Sequence, residues 1–141
     1  MSEPLHPPKT LRVLVVDDEV GFRNLLKWEL NHRGMIVETA ANGAEGVRLA
    51  KETKFDVIIT DVTMPEMDGM KLLEEIKKSN PQTEVIVVTG FGAVETAVHA
   101  MKKGAFDFVL KPYDLEHLMA RVQQAVERLE KCKACGRATH E

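Results

Sequence analysis

Four short apolar runs in this chain each end on, or one step short of, a residue suited to phosphate and metal chemistry. Residues Leu11 to Val16 run into Asp17 and Asp18, and Phe55 to Thr60 run into Asp61. Val85 to Val88 run into Thr89, and Phe106 to Leu110 run into Lys111 and Pro112. Unbroken β-branched runs of this length suit strands covered on both faces, as in a parallel sheet. Ligands of open α/β sheets bind outside the carboxyl ends of the strands. Runs lying side by side and parallel would therefore gather three carboxylates, a hydroxyl and an ammonium at one edge.

Strand-like and helix-like patterns alternate five times. After Asp18, Phe22, Leu25, Leu26 and Leu30 have helical spacing, and Gly34 is placed to end that helix in a left-handed turn. Residues 35–40 form a further strand candidate, more alternating than the rest, as an edge strand would be. Asn42 is placed to cap a helix through Lys51, with Glu45 reaching back as a capping box. Asp68-Gly69 opens a helix that buries Met70, Leu73 and Ile76, and Asn80-Pro81 closes it. Val94, Ala97, Val98 and Met101 make a stripe that stops at Gly104. Asp114 caps a last helix whose one face carries Leu115, Leu118, Met119, Val122, Val126 and Leu129. A (βα)5 alternation with short links predicts a parallel sheet with helices on both faces, joined by right-handed crossovers.

The 141 residues suit one domain, and a domain of roughly 150 residues buries about 70% of its unfolded surface. A net charge of −3 gives no general pull toward nucleic acid or an anionic membrane. No apolar stretch approaches the roughly 20 residues that span a bilayer. Residues 1–10 lack the apolar core of a signal peptide and read as a disordered lead-in. The body is expected over 11–129, and 130–141 read as a polar tail or linker stump. Both cysteines, Cys132 and Cys135, lie in that tail, so a reducing cytoplasm is the expected setting. Cys132 and Cys135 with His140 could hold zinc, but a single C-x-x-C is weak, and redox motifs of this spacing open a helix rather than end one. The segment reads as a mobile tail.

Adjacent carboxylates raise each other's pKa and are costly to hold together without a cation. Asp17, Asp18 and then Glu19 therefore suggest a hard divalent ion, and oxygen ligands fit Mg²⁺ better than zinc. Asp61 could complete that site and still offer an oxygen as nucleophile. Lys111 would neutralise charge on a transferred phosphoryl group, and the Thr89 hydroxyl with the N–H groups of Val62 and Gly90 could serve its other oxygens. An acidic pair after one strand is ordinarily a turn or cap. Four such residues at successive strand ends change that reading.

These segments resemble the receiver domain of two-component response regulators. The likeness rests on residues 13–19, on 61–69 (Asp-Val-Thr-Met-Pro-Glu-Met-Asp-Gly), on Thr89-Gly90-Phe91-Gly92 and on 104–112, and covers about Leu11 to Leu129. Residues 89–93 and 97–108 are closest in flavour to receivers of the nitrogen-regulation class. The resemblance implies a flavodoxin-like, chemotaxis-regulator-like fold with strand order 2-1-3-4-5. It implies Asp61 as phosphoacceptor, Asp18 as direct metal ligand, Asp17 as its partner through water, and the Thr63 carbonyl as a further ligand to Mg²⁺. Lys111 would pair with the phosphoryl group, and its bond to Pro112 is expected to be cis. Thr89 resembles the switch hydroxyl, and Phe108 the aromatic whose rotamer follows it. Many relatives carry Tyr there, so an inward Phe108 would rest on packing alone; the plain alternative is a core aromatic.

The implied function is to take a phosphoryl group from a sensor histidine kinase or phosphotransfer protein. The response would be a switch in the helix from Ala93 to Lys103, the last strand and the last helix, with a possible homodimer through that face. No turnover beyond self-phosphorylation and autodephosphorylation is expected, and no direct nucleic-acid or membrane binding. In the nitrogen-regulation class the receiver usually precedes an ATPase module and a helix-turn-helix. No G-x-x-x-x-G-K-[ST] loop occurs here, so the chain is either a single-domain regulator or an excised receiver that controls dimerisation of a transcription activator. Two rivals fare worse. An aspartate-nucleophile phosphatase needs a second Asp where Thr63 stands, and a flavodoxin-type carrier would find its phosphate repelled by Asp17-Asp18-Glu19.

Overall fold

The computed structural model describes residues 10–61, 69–90, 94–111 and 114–134. Its elements alternate as β1 (Arg12–Val16), α1 (Val20–His32), β2 (Ile36–Ala40), α2 (Gly43–Glu52), β3 (Val57–Asp61), α3 (Gly69–Ser79), β4 (Glu84–Thr89), α4 (Val94–Lys102), β5 (Asp107–Leu110) and α5 (Leu115–Ala134). The strands form one parallel sheet in the order β2-β1-β3-β4-β5, as expected, with the alternating β2 at an edge.

The strands read as continuous apolar runs because both sheet faces are covered. Val13, Val15, Val57, Ile59, Ile86 and Val88 pack with Leu26 and Leu30 of α1 and with Leu118, Met119, Val122 and Val126 of α5. The alternate residues Leu14, Val16, Ile58, Val85 and Val87 pack with Ala50 of α2, Leu72, Leu73 and Ile76 of α3 and Ala100 of α4. Each fully buried Val, Leu or Ile contributes about 1.5–3 kcal/mol relative to exposure.

Local signals set the element ends. The Asn42 side chain accepts the Glu45 N–H at 2.9 Å, while Glu45 reaches back to the N–H of Ala41 rather than of Asn42, one residue further than a capping box predicts. Gly34 and Gly104 take φ of 93° and 107°, the left-handed region that ends α1 and α4. Met35 N–H closes onto the Leu30 carbonyl at 3.1 Å and Ala105 N–H onto the Ala100 carbonyl at 3.0 Å.

Three expected core residues face outward. Leu25 is exposed, and so are Val98 and Met101. The inner face of α1 is set by Leu26 and Leu30, with Phe22 half-buried, and Leu25 sits a hundred degrees round from Leu26. On α4 the described buried residue is Ala100, whose small side chain lets the helix lie close to the sheet. Helix α5 carries the expected apolar face and continues past Leu129 to Ala134. No helix among the described residues is long and apolar enough to cross a membrane.

Candidate functional site

Three strands deliver the site. Asp17 follows β1 directly, and its N–H extends the sheet pairing by bonding to the Ala40 carbonyl of β2 at 3.1 Å. Its carbonyl accepts the Arg23 guanidinium at 2.7 Å, and its Oδ1 accepts the Glu19 N–H at 2.9 Å. The side chain is thereby fixed between the start of α1 and the strand end. Asp61 is the last residue of β3, one strand over. Both aspartates are 4% exposed, whereas Asp18 lies exposed beside them. Carboxylate oxygens of Asp17, Asp18 and Asp61 lie within 4.8 Å of one another.

Lys111 follows β5 and reaches across the sheet edge. Its Nζ donates to Asp61 Oδ2 at 3.0 Å, to Asp17 Oδ2 at 3.1 Å and to Glu19 Oε1 at 3.4 Å. The ammonium also stands 4.9 Å from the centre of the Phe22 ring, a distance at which an aromatic face attracts a cation. Burial by itself would push Lys111 down; the bonds to Asp61 and Asp17 outweigh it and raise its pKa above the ordinary lysine value. Asp17 moves the other way from a salt-bridged carboxylate. Burial raises its pKa, the Asp61 charge adds to that, and the bonds from Glu19 N–H and Lys111 only partly offset it.

Asp17, Asp18, Asp61 and Lys111 are thus brought together as the strand-end reading expects. Thr89 closes β4, with its Cα in register with Leu110, one residue before Lys111. Its side chain, Val62, Thr63, Pro112 and the bond between Lys111 and Pro112 lie outside the described residues. Phe108 lies in β5, half-buried and packed on the core beneath α2, α3 and α4. Sequence reasoning named Glu19 with the acidic pair but not as a third acceptor for Lys111, and it did not assign Phe22 to the ammonium or Arg23 to the Asp17 carbonyl. A signal existed, since all three lie in or beside the first turn of the helix that starts after the acidic pair.

The donor set fits a hard divalent cation. Its ligands are all carboxylate oxygens, one of them at the surface, and the buried Asp17 carboxylate is held above its ordinary pKa even with Lys111 bonded to it. A cation of higher charge at Asp17, Asp18 and Asp61 would remove that penalty.

Comparison with known proteins places this arrangement. A family model described as the response regulator receiver domain matches residues 13–123. Regulatory protein AtoC of Escherichia coli is 41% identical over 116 residues, which are 82% of this chain and 25% of that protein. A crystal structure of a response regulator receiver domain protein from Clostridium thermocellum superposes with a TM-score of 0.80 at 38% identity, covering 85% of this chain and 97% of that one. The solution structure of the beryllofluoride-activated NtrC4 receiver domain dimer gives 0.78 at 42% identity, covering 84% and 98%. The chain spans about a quarter of the length of the curated relatives it matches.

Proposed function

This chain belongs to the response regulator receiver family of two-component signalling, and from that premise we propose that Asp61 accepts a phosphoryl group from a histidine kinase or phosphotransfer protein. The observation that carries the reading is the contact of Lys111 with Asp61 at 3.0 Å inside a cluster of carboxylates. A buried carboxylate at a strand end, held by an ammonium and opening beside exposed Asp18, is placed to attack a phosphorus atom arriving from solvent.

In the proposed step an Asp61 carboxylate oxygen bonds to phosphorus as the phosphorus–nitrogen bond of a phosphohistidine breaks. The nitrogen leaves with the electron pair and takes up a proton. Water later attacks the same phosphorus, and Asp61 departs as carboxylate with release of inorganic phosphate. Lys111 follows the new phosphoryl oxygens, exchanging its bond to Asp61 for one to the anion beside it. Asp17, Asp18 and Asp61, with the Thr63 carbonyl, would hold a divalent ion, Mg²⁺ in this reading, which when bound neutralises charge on the phosphoryl oxygens. Phosphorylation adds roughly −1.5 to −2 charge at this edge. In the proposal Thr89 and Phe108 respond to it, which biases α4, β5 and α5 toward a second arrangement. The chemistry is self-modification without turnover of an external substrate, in a cytoplasmic setting.

A second reading concerns what the switch controls. The likeness to a receiver solved as a dimer and the exposed Val98, Met101 and Leu110 on α4 and β5 support a homodimer through that face. The share of each curated relative that the chain covers supports a receiver acting within a larger transcription regulator.

The test is phosphoryl incorporation from acetyl phosphate, read as intact mass. The wild-type chain is expected to gain one phosphoryl group in the presence of Mg²⁺, and D61N none. Undiminished labelling of D61N would refute the assignment.

A further inference from the structure

The amino end of the sheet carries a second set of ion pairs that the proposed chemistry does not use. Strands β4 and β5 each begin with an acidic residue, Glu84 and Asp107. Each acid holds an arginine from α5. Arg121 Nη1 meets Asp107 Oδ2 at 3.0 Å, and Arg128 Nε meets Glu84 Oε2 at 2.8 Å. The two arginines are seven residues apart, two helical turns, and so project from one side of α5.

The Asp107 carboxylate and the Glu84 backbone are each held by a bond that does not involve the arginines. Asp107 Oδ1 accepts the Phe108 N–H at 2.8 Å, which locks the carboxylate to its own strand. The Glu84 N–H bonds to the Asp56 carbonyl of the neighbouring chain segment at 3.0 Å, and its side chain is 6% exposed. The Arg128 guanidinium also lies 5.3 Å from the centre of the Phe106 ring, just ahead of β5.

Stability is a poor explanation for these pairs. Burying a carboxylate costs about as much as a single ion pair returns, so such pairs often add little net stability. The Nε of Arg121 is buried with no hydrogen-bond partner, a further cost. What two fixed anchors on one side of a helix do supply is direction. Among the residues whose burial is described, Leu129 is the last buried one of α5, and the helix runs on to Ala134. Arg128 therefore makes a tertiary contact one residue before Leu129.

We propose that Arg121 and Arg128 strap α5 across the starts of β4 and β5 and so set the direction in which the helix leaves the domain, making Asp107 and Glu84 positioning residues for the chain that follows it. The strands held by the strap end at Thr89 and one residue before Lys111, so the strap ties the exit of α5 to the strand that delivers the lysine of the site and to its neighbour. The strap does not depend on phosphoryl transfer at Asp61.

The test is a distance distribution between two spin labels, one on the native Cys132 near the end of α5 and one on E52C at the exposed end of α2, in a chain that also carries C135S. The unmodified strap is expected to give a single narrow distribution. R121Q and R128Q should each broaden it, and the double variant more than either. R33Q, which breaks the surface pair with Glu29 on α1, should leave it narrow. E84Q, close to isosteric, should reproduce R128Q and decides the matter should the double variant fail to fold. An unchanged distribution in E84Q and R128Q, whatever their melting temperatures, would overturn the proposal. Acetyl phosphate labelling of the same variants should stay normal, so failure of the strap and failure of the Asp61 assignment read out separately.

Discussion

At the carboxyl end of the sheet, Asp17, Asp61 and Lys111 converge from three strand ends, and acids outnumber the lysine that bonds them. At the amino end, Glu84 and Asp107 each meet one arginine from one helix. Both ends bury carboxylates, but with different consequences. The amino end gives each acid its own arginine, although burial still raises Glu84 against the pull of Arg128 and Lys77. The carboxyl end is left electrostatically incomplete, with Asp17 pushed up by burial and only partly relieved. What separates the two ends is number: three carboxylates within 4.8 Å of one another share one ammonium at the carboxyl end, and such a cluster is a candidate place for binding or chemistry.

Removing Lys111 gives the largest stability effect expected from this comparison. With 16% side-chain exposure it bridges two carboxylates exposed by only 6% and 5%. K111M should cost about 3 kcal/mol in urea unfolding at neutral pH, since breaking a buried pair leaves uncompensated charge. The loss should shrink as the pH falls, because protonated carboxyls need no ammonium, and Mg²⁺ should restore part of it. A cost below that of a surface pair would show that the cluster is already satisfied without the lysine.

The helix cap of α2 lies two residues past β2 at the carboxyl edge but takes no part in the ion pairs of either end, and it sets a reference. N42A removes the 2.9 Å bond to the Glu45 N–H and should cost about 1 kcal/mol, with no pH dependence.

The smallest effect is expected at the amino end. Burial raises the Glu84 pKa, and Arg128 and Lys77 only partly pull it back. The native state then keeps this proton to a higher pH than the unfolded chain does. The stability that Glu84 contributes is full below its unfolded value, near 4.3 for a free glutamate, and is lost as the pH rises through the folded value. E84Q removes that slope, so its unfolding free energy should fall less than that of the wild type over this window. At neutral pH the two should differ by no more than about 1 kcal/mol, since Arg128 is 60% exposed and can return to water. A steeper fall with pH in E84Q than in the wild type would contradict a raised Glu84 pKa.

The carboxyl end was legible in the sequence and the amino end was not. Asp17, Asp18, Asp61 and Lys111 sit where apolar runs stop, and parallel strands align their ends by construction. The pairing of Glu84 with Arg128 joins residues in different elements with no local pattern, and depends on how α5 lies across the sheet. Exposure was harder to read than element type. Leu25, Val98 and Met101 fit helical spacing as well as their buried neighbours do, and only the sheet beneath decides which side faces in. The extension of α5 to Ala134 was permitted by Glu130 and Lys131, both good helix formers, but the apolar stripe that marks a packed helix ends at Leu129.

A crystal structure grown with Mg²⁺ and beryllium fluoride, a phosphoryl mimic, tests the central claim most directly. Beryllium fluoride is expected joined to an Asp61 carboxylate oxygen, with the metal held among Asp17, Asp18 and Asp61 and the Lys111 ammonium turned to a fluorine. Density for the fluoride at any other residue, or Mg²⁺ bound away from these three aspartates, would contradict it.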